Sequence, residues 1–191
     1  MSEEAIWHIL VVLPWGVFVT YWIAGSTKTR ANAQKEPFLS RFVILLMEFA
    51  GYLLVFAPIN FGMLRMHVIP RTIPTAILGV ACTWAGIGLA IWARYHLAEY
   101  WSARITIKEG HQLIRTGPYQ RLRHPIYTGL ILATVGSALV IDHWRCVLGV
   151  LLITVGYCFK AKREENMLGQ QFGEAFQEHR KHTGFLFPKY L

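Results

Sequence analysis

The stretch Thr116 to Gly129, TGPYQRLRHPIYTG, sets Arg121, Arg123, His124, Tyr119 and Tyr127 against the start of an apolar run. Pro125 suits the first turn of the helix that follows, where its missing N–H leaves no intrahelical bond unmade, so Arg123 and His124 stand at the helix mouth. Orphan amides, a guanidinium and an imidazole at one spot make a resting place for a carboxylate or a phosphate. The same residues would also serve any span at its cytoplasmic interface, with arginines at lipid headgroups and tyrosines in an aromatic belt. A second charged cluster tips the balance toward a site. Glu164 and Glu165 directly follow the next apolar run, so two clusters flank one helical hairpin.

The elements that must position these residues are apolar. Of 191 residues, 54% are hydrophobic and 16% charged, unlike an ordinary soluble protein. Apolar runs extend from Ile6 to Ala24, Phe42 to Leu64, Ile73 to Ala93, Ile126 to Ile141 and Cys146 to Phe159. The first three can each cross a hydrocarbon core of about 30 Å, and the shorter last two read as a hairpin turning at Asp142-His143-Trp144. The expected fold is an all-α membrane protein with five transmembrane helices, a helical hairpin and a cytoplasmic C-terminal amphipathic helix. It is read as a single membrane domain over 1–191, with three spans in 1–98 and the catalytic loop, hairpin and cofactor-binding region in 99–191. With the N-terminus outside, all of the 19 Lys and Arg except Arg65, Arg71 and Arg145 fall on the cytoplasmic side. The net charge of +8 then reflects topology and contact with anionic lipid, with no nucleic-acid motif to explain it. The first run carries Glu3 and Glu4 in its flank in place of Lys or Arg, so it reads as a retained helix and not as a signal peptide. Cys82, Cys146 and Cys158 show neither a CxxC pair nor metal-ligand spacing and read as buried thiols, so no metal is expected.

Within this frame Glu48 is an ionisable group two turns inside a span, which demands a partner or a water-filled cavity. A structural pairing and a place in the site both satisfy that demand. Gly79, Gly86 and Gly88 offer close helix approach, and Gly129, Ala133 and Ser137 form a small-residue stripe expected to face the fifth span. The long connection from His96 to Arg123 interleaves apolar anchors and turn residues, including the alternating Ile105 and Ile107, and long patterned loops carry function. After Phe159, Leu168, Phe172, Phe176 and His179 share one face of an interfacial helix, and the FLF after Gly184 can fold back to close a pocket.

Between Tyr100 and Pro188 the chain resembles the isoprenylcysteine carboxyl methyltransferase family, in the size of its prokaryotic integral-membrane members. The resemblance rests on Trp101-Ser102, GHQLI at Gly110 to Ile114, GPY at Gly117 to Tyr119, RHPIY at Arg123 to Tyr127, Glu164-Glu165 and Phe172-Gly173. It implies S-adenosylmethionine bound at the cytoplasmic ends of the last helices, with S-adenosylhomocysteine as product and no Rossmann domain. The chain has no GxGxxG after a strand. Carried over position by position, the resemblance makes His111, Gln112, Leu113, Ile114, Tyr119, His124, Pro125, Ile126, Tyr127 and Glu164 the cofactor lining. Arg123, Lys160 and Glu165 become the residues of the reaction. Lys160 stands where relatives commonly have an arginine that meets the acceptor, and lysine cannot grip a carboxylate bidentately.

The function expected from this is methyl transfer to the carboxylate of a lipophilic, isoprenylcysteine-like acceptor that arrives from the bilayer. An amine or phospholipid N-methyltransferase is the nearest alternative, with Glu165 or a histidine as base. A membrane reductase using NADPH and a non-enzymatic membrane scaffold complete the field.

Overall fold

The computed structural model describes residues 2–25, 32–35, 38–59, 61–70, 72–98, 106–108 and 113–189. Its helices are α1 (Glu3–Gly25), α2 (Phe38–Phe56), α3 (Ile73–Leu97), α4 (Pro125–Ile141), α5 (Trp144–Phe172) and α6 (Glu174–His182). A short antiparallel ribbon, in which β1 (Asn32–Lys35) pairs with β2 (Thr106–Lys108), and a parallel bridge between Leu122 and Gly184 add to the helices and turns. That ribbon ties the connection after α1 to the long connection after α3. Among the described residues three helices, Glu3–Gly25, Ile73–Leu97 and Trp144–Phe172, are long and apolar enough to cross a membrane, and Pro125–Ile141 is a shorter apolar helix. Side chains such as Val12, Leu13, Phe49, Ile77 and Leu151 are exposed on the outer faces, as a lipid solvent requires.

Glycines decide which helices touch. A Cβ added at Gly86 would lie 2.4 Å from the Gly129 carbonyl oxygen, and one at Gly136 would lie 2.4 Å from that of Gly79, so α3 and α4 run antiparallel with their backbones in contact. Gly51 and Gly149 bring α2 and α5 together in the same way. The stripe Gly129, Ala133 and Ser137 therefore faces α3 and α1, and not α5 as the sequence suggested. Gly129 and Ala133 meet Gly86, while Ser137 accepts a hydrogen bond from the Trp15 indole at 3.0 Å. Gly88 takes no part, since a Cβ there would meet nothing within 4 Å.

The α1 helix is bound through polar groups that its own sequence releases. Pro14 has no N–H to give to the Leu10 carbonyl one turn back, and the Trp84 indole of α3 donates to that oxygen at 3.1 Å. Arg94, buried near the end of α3, donates to the Gly25 carbonyl at the C-terminus of α1. At the opposite end of the bundle Asp142 makes the turn expected at the hairpin, in the left-handed region at φ 53°. Its carboxylate accepts from the amides of Val68 and Ile69 and meets the ring of His67.

Two helix boundaries differ from the apolar runs. The second helix stops at Phe56, ahead of Pro58, and Gly62–Arg65 forms a 3-10 turn in place of further span. The fifth continues without a break past Phe159 through Lys-Arg-Glu residues that favour helix, and stops at Gly173, where φ is +50°. Glu164 and Glu165 accordingly ride on the same helix as the preceding apolar run, and the amphipathic segment is reduced to α6, whose Phe176 and His179 are buried.

Candidate functional site

The helix mouth before Pro125 is built as the sequence implies, with Pro125 at the first helical position and His124 preceding it. His124 is only 5% exposed, and its ring lies between the two glutamates of α5. Its Nδ1 is 3.5 Å from Glu164 Oε2, and its Nε2 is 3.3 Å from Glu165 Oε1. A neutral imidazole donates through one nitrogen only, so a carboxylate at each nitrogen calls for imidazolium. Burial alone would push the His124 pKa down, but hydrogen bonds and charge from Glu164 and Glu165 outweigh it and raise it above the ordinary histidine value.

Arg123 completes the cluster. Its guanidinium donates to Glu165 Oε1 and to the Thr183 carbonyl, while the Tyr127 hydroxyl donates to Glu164 Oε1. Arg180 of α6 stands 3.7 Å from the other oxygen of Glu165. The carboxylate expected from a ligand at this helix mouth is thus supplied in part by the chain itself. Glu164 is the more open of the two glutamates, with 24% of its side chain exposed against 11% for Glu165.

The tail is docked against the mouth. The Arg123 amide donates to the Gly184 carbonyl at 2.9 Å, the Gly184 amide donates to the Arg121 carbonyl at 2.9 Å, and Thr128 Oγ1 donates to the Leu186 carbonyl at 2.8 Å. The Phe185 ring meets the His124 ring edge to face at 5.2 Å and lies under the Arg123 guanidinium. Gly184 permits this path, because a Cβ there would sit 1.6 Å from the Phe187 carbonyl oxygen. Beside the cluster opens a cleft of about 770 Å³, lined by Arg123, Glu165, Asn166, Gln170, Gln177, Arg180 and Phe185 among others. That volume suits a small-molecule ligand.

The remaining sequence candidates fall in three places. Tyr119 and Ile126 are buried in the central core with Ile87, Ala133 and Tyr157, and Ile114 and Tyr127 pack against that core. The Tyr119 pKa is raised by burial, reinforced by Glu164 and opposed by Arg94, so its phenol stays protonated. Pro125 is buried and Leu113 half-buried. Lys160 lies one turn before Glu164 on α5, 3.5 Å from Glu48, with its ammonium 5.5 Å from the Tyr127 ring. His111 and Gln112, with Trp101, Ser102 and Gly110, lie outside the described residues. Sequence reasoning did not single out Tyr157 or Arg180, and it reached Phe185 only as the first residue of the FLF expected to fold back. Tyr157 stacks on Tyr127 at 4.9 Å, and its position three residues before Lys160 on a helix was the available signal.

The family whose model is described as phospholipid methyltransferase matches residues 74–175, more than half of the chain and all of the charged cluster from Arg123 to Glu165. An uncharacterized protein of Bacillus subtilis, YpbQ, is 35% identical over 57 residues, which cover 26% of this chain and 34% of that protein. The chain thus spans about a third of the length of that curated relative.

Proposed function

Because the chain belongs to the phospholipid methyltransferase family, we propose that it transfers a methyl group from S-adenosylmethionine to a lipophilic acceptor within the membrane. The reading takes five crossings with the N-terminus outside, which puts the Arg123 and Glu164 clusters together on the cytoplasmic side. The observation that carries the reading is the bridged cluster at the mouth of α4, in which His124 joins Glu164 to Glu165 beneath a docked tail. The residues present fit the cofactor. Glu164 offers a partly open carboxylate to an ammonium, and Leu113 and Ile114 offer apolar surface to a nucleoside. His111, Gln112, Tyr119, Pro125 and Ile126 complete that lining in the resemblance. When bound, S-adenosylmethionine supplies an electrophilic methyl group on a sulfonium.

The chain's own work is then to bind, align and exclude water, because methyl transfer to an ionised carboxylate involves little proton chemistry. Arg123 and Lys160 hold or shape the acceptor end, and Glu165 fixes Arg123 in its rotamer. An isoprenylcysteine-like carboxylate is the acceptor that the sequence resemblance favours. A specific observation supports the second reading, an amine headgroup. Arg123 and Lys160 already face Glu165 and Glu48, which leaves less positive charge to spend on an anionic acceptor. In that reading the amine must lose a proton, and Glu165, the base the sequence suggests, is a weak acceptor: burial pushes its pKa up, but hydrogen bonds and charge from His124 and Arg123 outweigh burial and hold the carboxyl at about 2.

Calorimetry with S-adenosylhomocysteine tests the cofactor assignment. His124→Ala and Glu164→Gln should each weaken binding by at least about tenfold, near 1.4 kcal/mol. Saturable binding of NADPH with no binding of S-adenosylhomocysteine would move the protein to the reductases. A labelled product that releases methanol in base is an ester, whereas a base-stable product in lipid headgroups marks the amine reading.

A further inference from the structure

Glu48 sits on α2, outside the segment that the family model matches, yet it reaches the site. Its carboxylate lies 3.5 Å from the Lys160 ammonium, and the two side chains are only 14% and 13% exposed. Gly156 of α5 faces it, and a Cβ there would meet Glu48 Cγ at an ordinary contact distance of 3.7 Å. The Lys160 ammonium is at the same time within 5.5 Å of the Tyr127 ring and 5.9 Å of the Tyr157 ring. Tyr127 in turn donates to Glu164. One turn along α2, Tyr52 shares a hydrogen bond of 3.1 Å with Tyr157. Three helices therefore meet in a polar patch that stands deeper in the bundle than the Glu164 cluster.

A half-buried ion pair is a poor device for stability alone, because apolar side chains of similar volume commonly serve as well. Ionisable groups at such depth mark substrate paths more often than scaffolding. We propose that Glu48 is a specificity-determining residue for the methyl acceptor: by neutralising Lys160 beside Tyr127, it tunes the site away from anionic acceptors and toward amine headgroups without net charge. The proposal rests on the methyltransferase reading and on the place of Lys160 at the acceptor end. It adds a residue from outside the matched segment and a sign for the charge the acceptor carries. Glu48 acts through Lys160 and is thus a positioning residue for charge, with no atom transferred to or from it.

The test compares two probes in vesicles: dioleoyl phosphatidylethanolamine as the amine, and a long-chain alkyl thioether carboxylic acid as the anion. Methyl-labelled S-adenosylmethionine reports both products, and kcat/KM is taken for each. Glu48→Gln frees the Lys160 charge and should shift the ratio of acid to amine turnover at least about tenfold toward the acid, mainly through KM. Affinity for S-adenosylhomocysteine should stay within about twofold of wild type, since that ligand is assigned to Glu164. The double variant Glu48→Gln with Lys160→Gln removes both charges and should return the ratio to within about twofold of wild type. A merely structural pair would lower both turnovers together and leave their ratio as it was, which overturns the proposal. Should Glu48→Gln fail to fold, Lys160→Gln, which takes the ammonium away from the Glu48 carboxylate, should shift the ratio at least about tenfold toward the amine, and an unchanged ratio there sinks the idea. Wild-type protein that binds no S-adenosylhomocysteine and methylates neither probe would overturn the enzymatic reading itself, an outcome distinct from an unchanged ratio in an active enzyme.

Discussion

Gly86→Ala tests whether the site is positioned from a distance. The new Cβ would lie 2.4 Å from the Gly129 carbonyl oxygen, 2.5 Å from the Ala133 nitrogen and 2.9 Å from Ala133 Cα. All three are backbone atoms, so no side chain can rotate away. Ordinary contact begins near 3.4 Å, so α3 and α4 must part by about 1 Å, an overpacking strain of about 1–3 kcal/mol. The helix that moves carries His124 and Tyr127 just below Gly129, whereas Glu164 and Glu165 ride on α5, which is zipped to α2 through Gly51 and Gly149. The displacement therefore pulls the imidazole away from its two carboxylates, and a misplacement of about 1 Å can cost about a hundredfold in rate. Gly88→Ala, two residues along the same helix, adds the same methyl group where nothing lies within 4 Å. Thermal unfolding followed by tryptophan fluorescence, together with methyl transfer from labelled S-adenosylmethionine, should separate the pair, with Gly86→Ala less stable and at least about tenfold slower. Equal behaviour of the two variants would refute the reasoning.

The His124 pKa is raised in the folded protein, so its ion pairs stabilise fully below the unfolded value of about 6.5 and are lost as pH rises through the folded value. The Tm gap between wild type and His124→Gln should accordingly be widest in mild acid and close in alkali, and a gap independent of pH would count against the bridge. Gly184→Ala forces a Cβ onto the Phe187 carbonyl, so the tail should leave the helix mouth. Limited proteolysis should then cut near Phe185, and S-adenosylhomocysteine affinity should fall at least about tenfold. In a background without Cys82, Cys146 and Cys158, a cysteine at Gly110 should be labelled only from the cytoplasmic side and one at His143 only from outside. Labelling of both from one face would remove the proposed topology.

Much of the helical frame was legible because it follows from local chemistry. Apolar runs and breakers locate α1, α3 and α4, Pro125 marks the first turn of α4, and Asp142 marks the turn after it. The convergence of Arg123, His124, Tyr127, Glu164 and Glu165 could be read because each group needs a charged or hydrogen-bonding partner at the end of a span. Partner choice between helices was not legible. The stripe Gly129, Ala133 and Ser137 states only that some neighbour comes close, and chain order suggests the next helix, whereas the complementary glycines at Gly79 and Gly86 belong to the previous one. The end of α5 was misjudged for a related reason. Hydropathy stops at Phe159, but helix propensity continues through Glu164 and Glu165 to Gly173, and a helix leaving an apolar layer has no cause to unwind there.

The glycine contacts explain why charges gather where they do. They make two closely packed units, α3 with α4 and α2 with α5. Polar side chains carry the seam between those units: Tyr127 of α4 to Glu164 of α5, His124 to both glutamates, and Arg123 to Glu165. The groups suited to hold a ligand are thus the same groups that hold the two units in register. Loss of activity in a seam variant therefore cannot by itself assign chemistry to a residue. A variant such as Glu165→Gln must be judged by whether S-adenosylhomocysteine affinity falls together with thermal stability, as loosened units would give, or whether turnover alone falls, as a group acting on the acceptor would give.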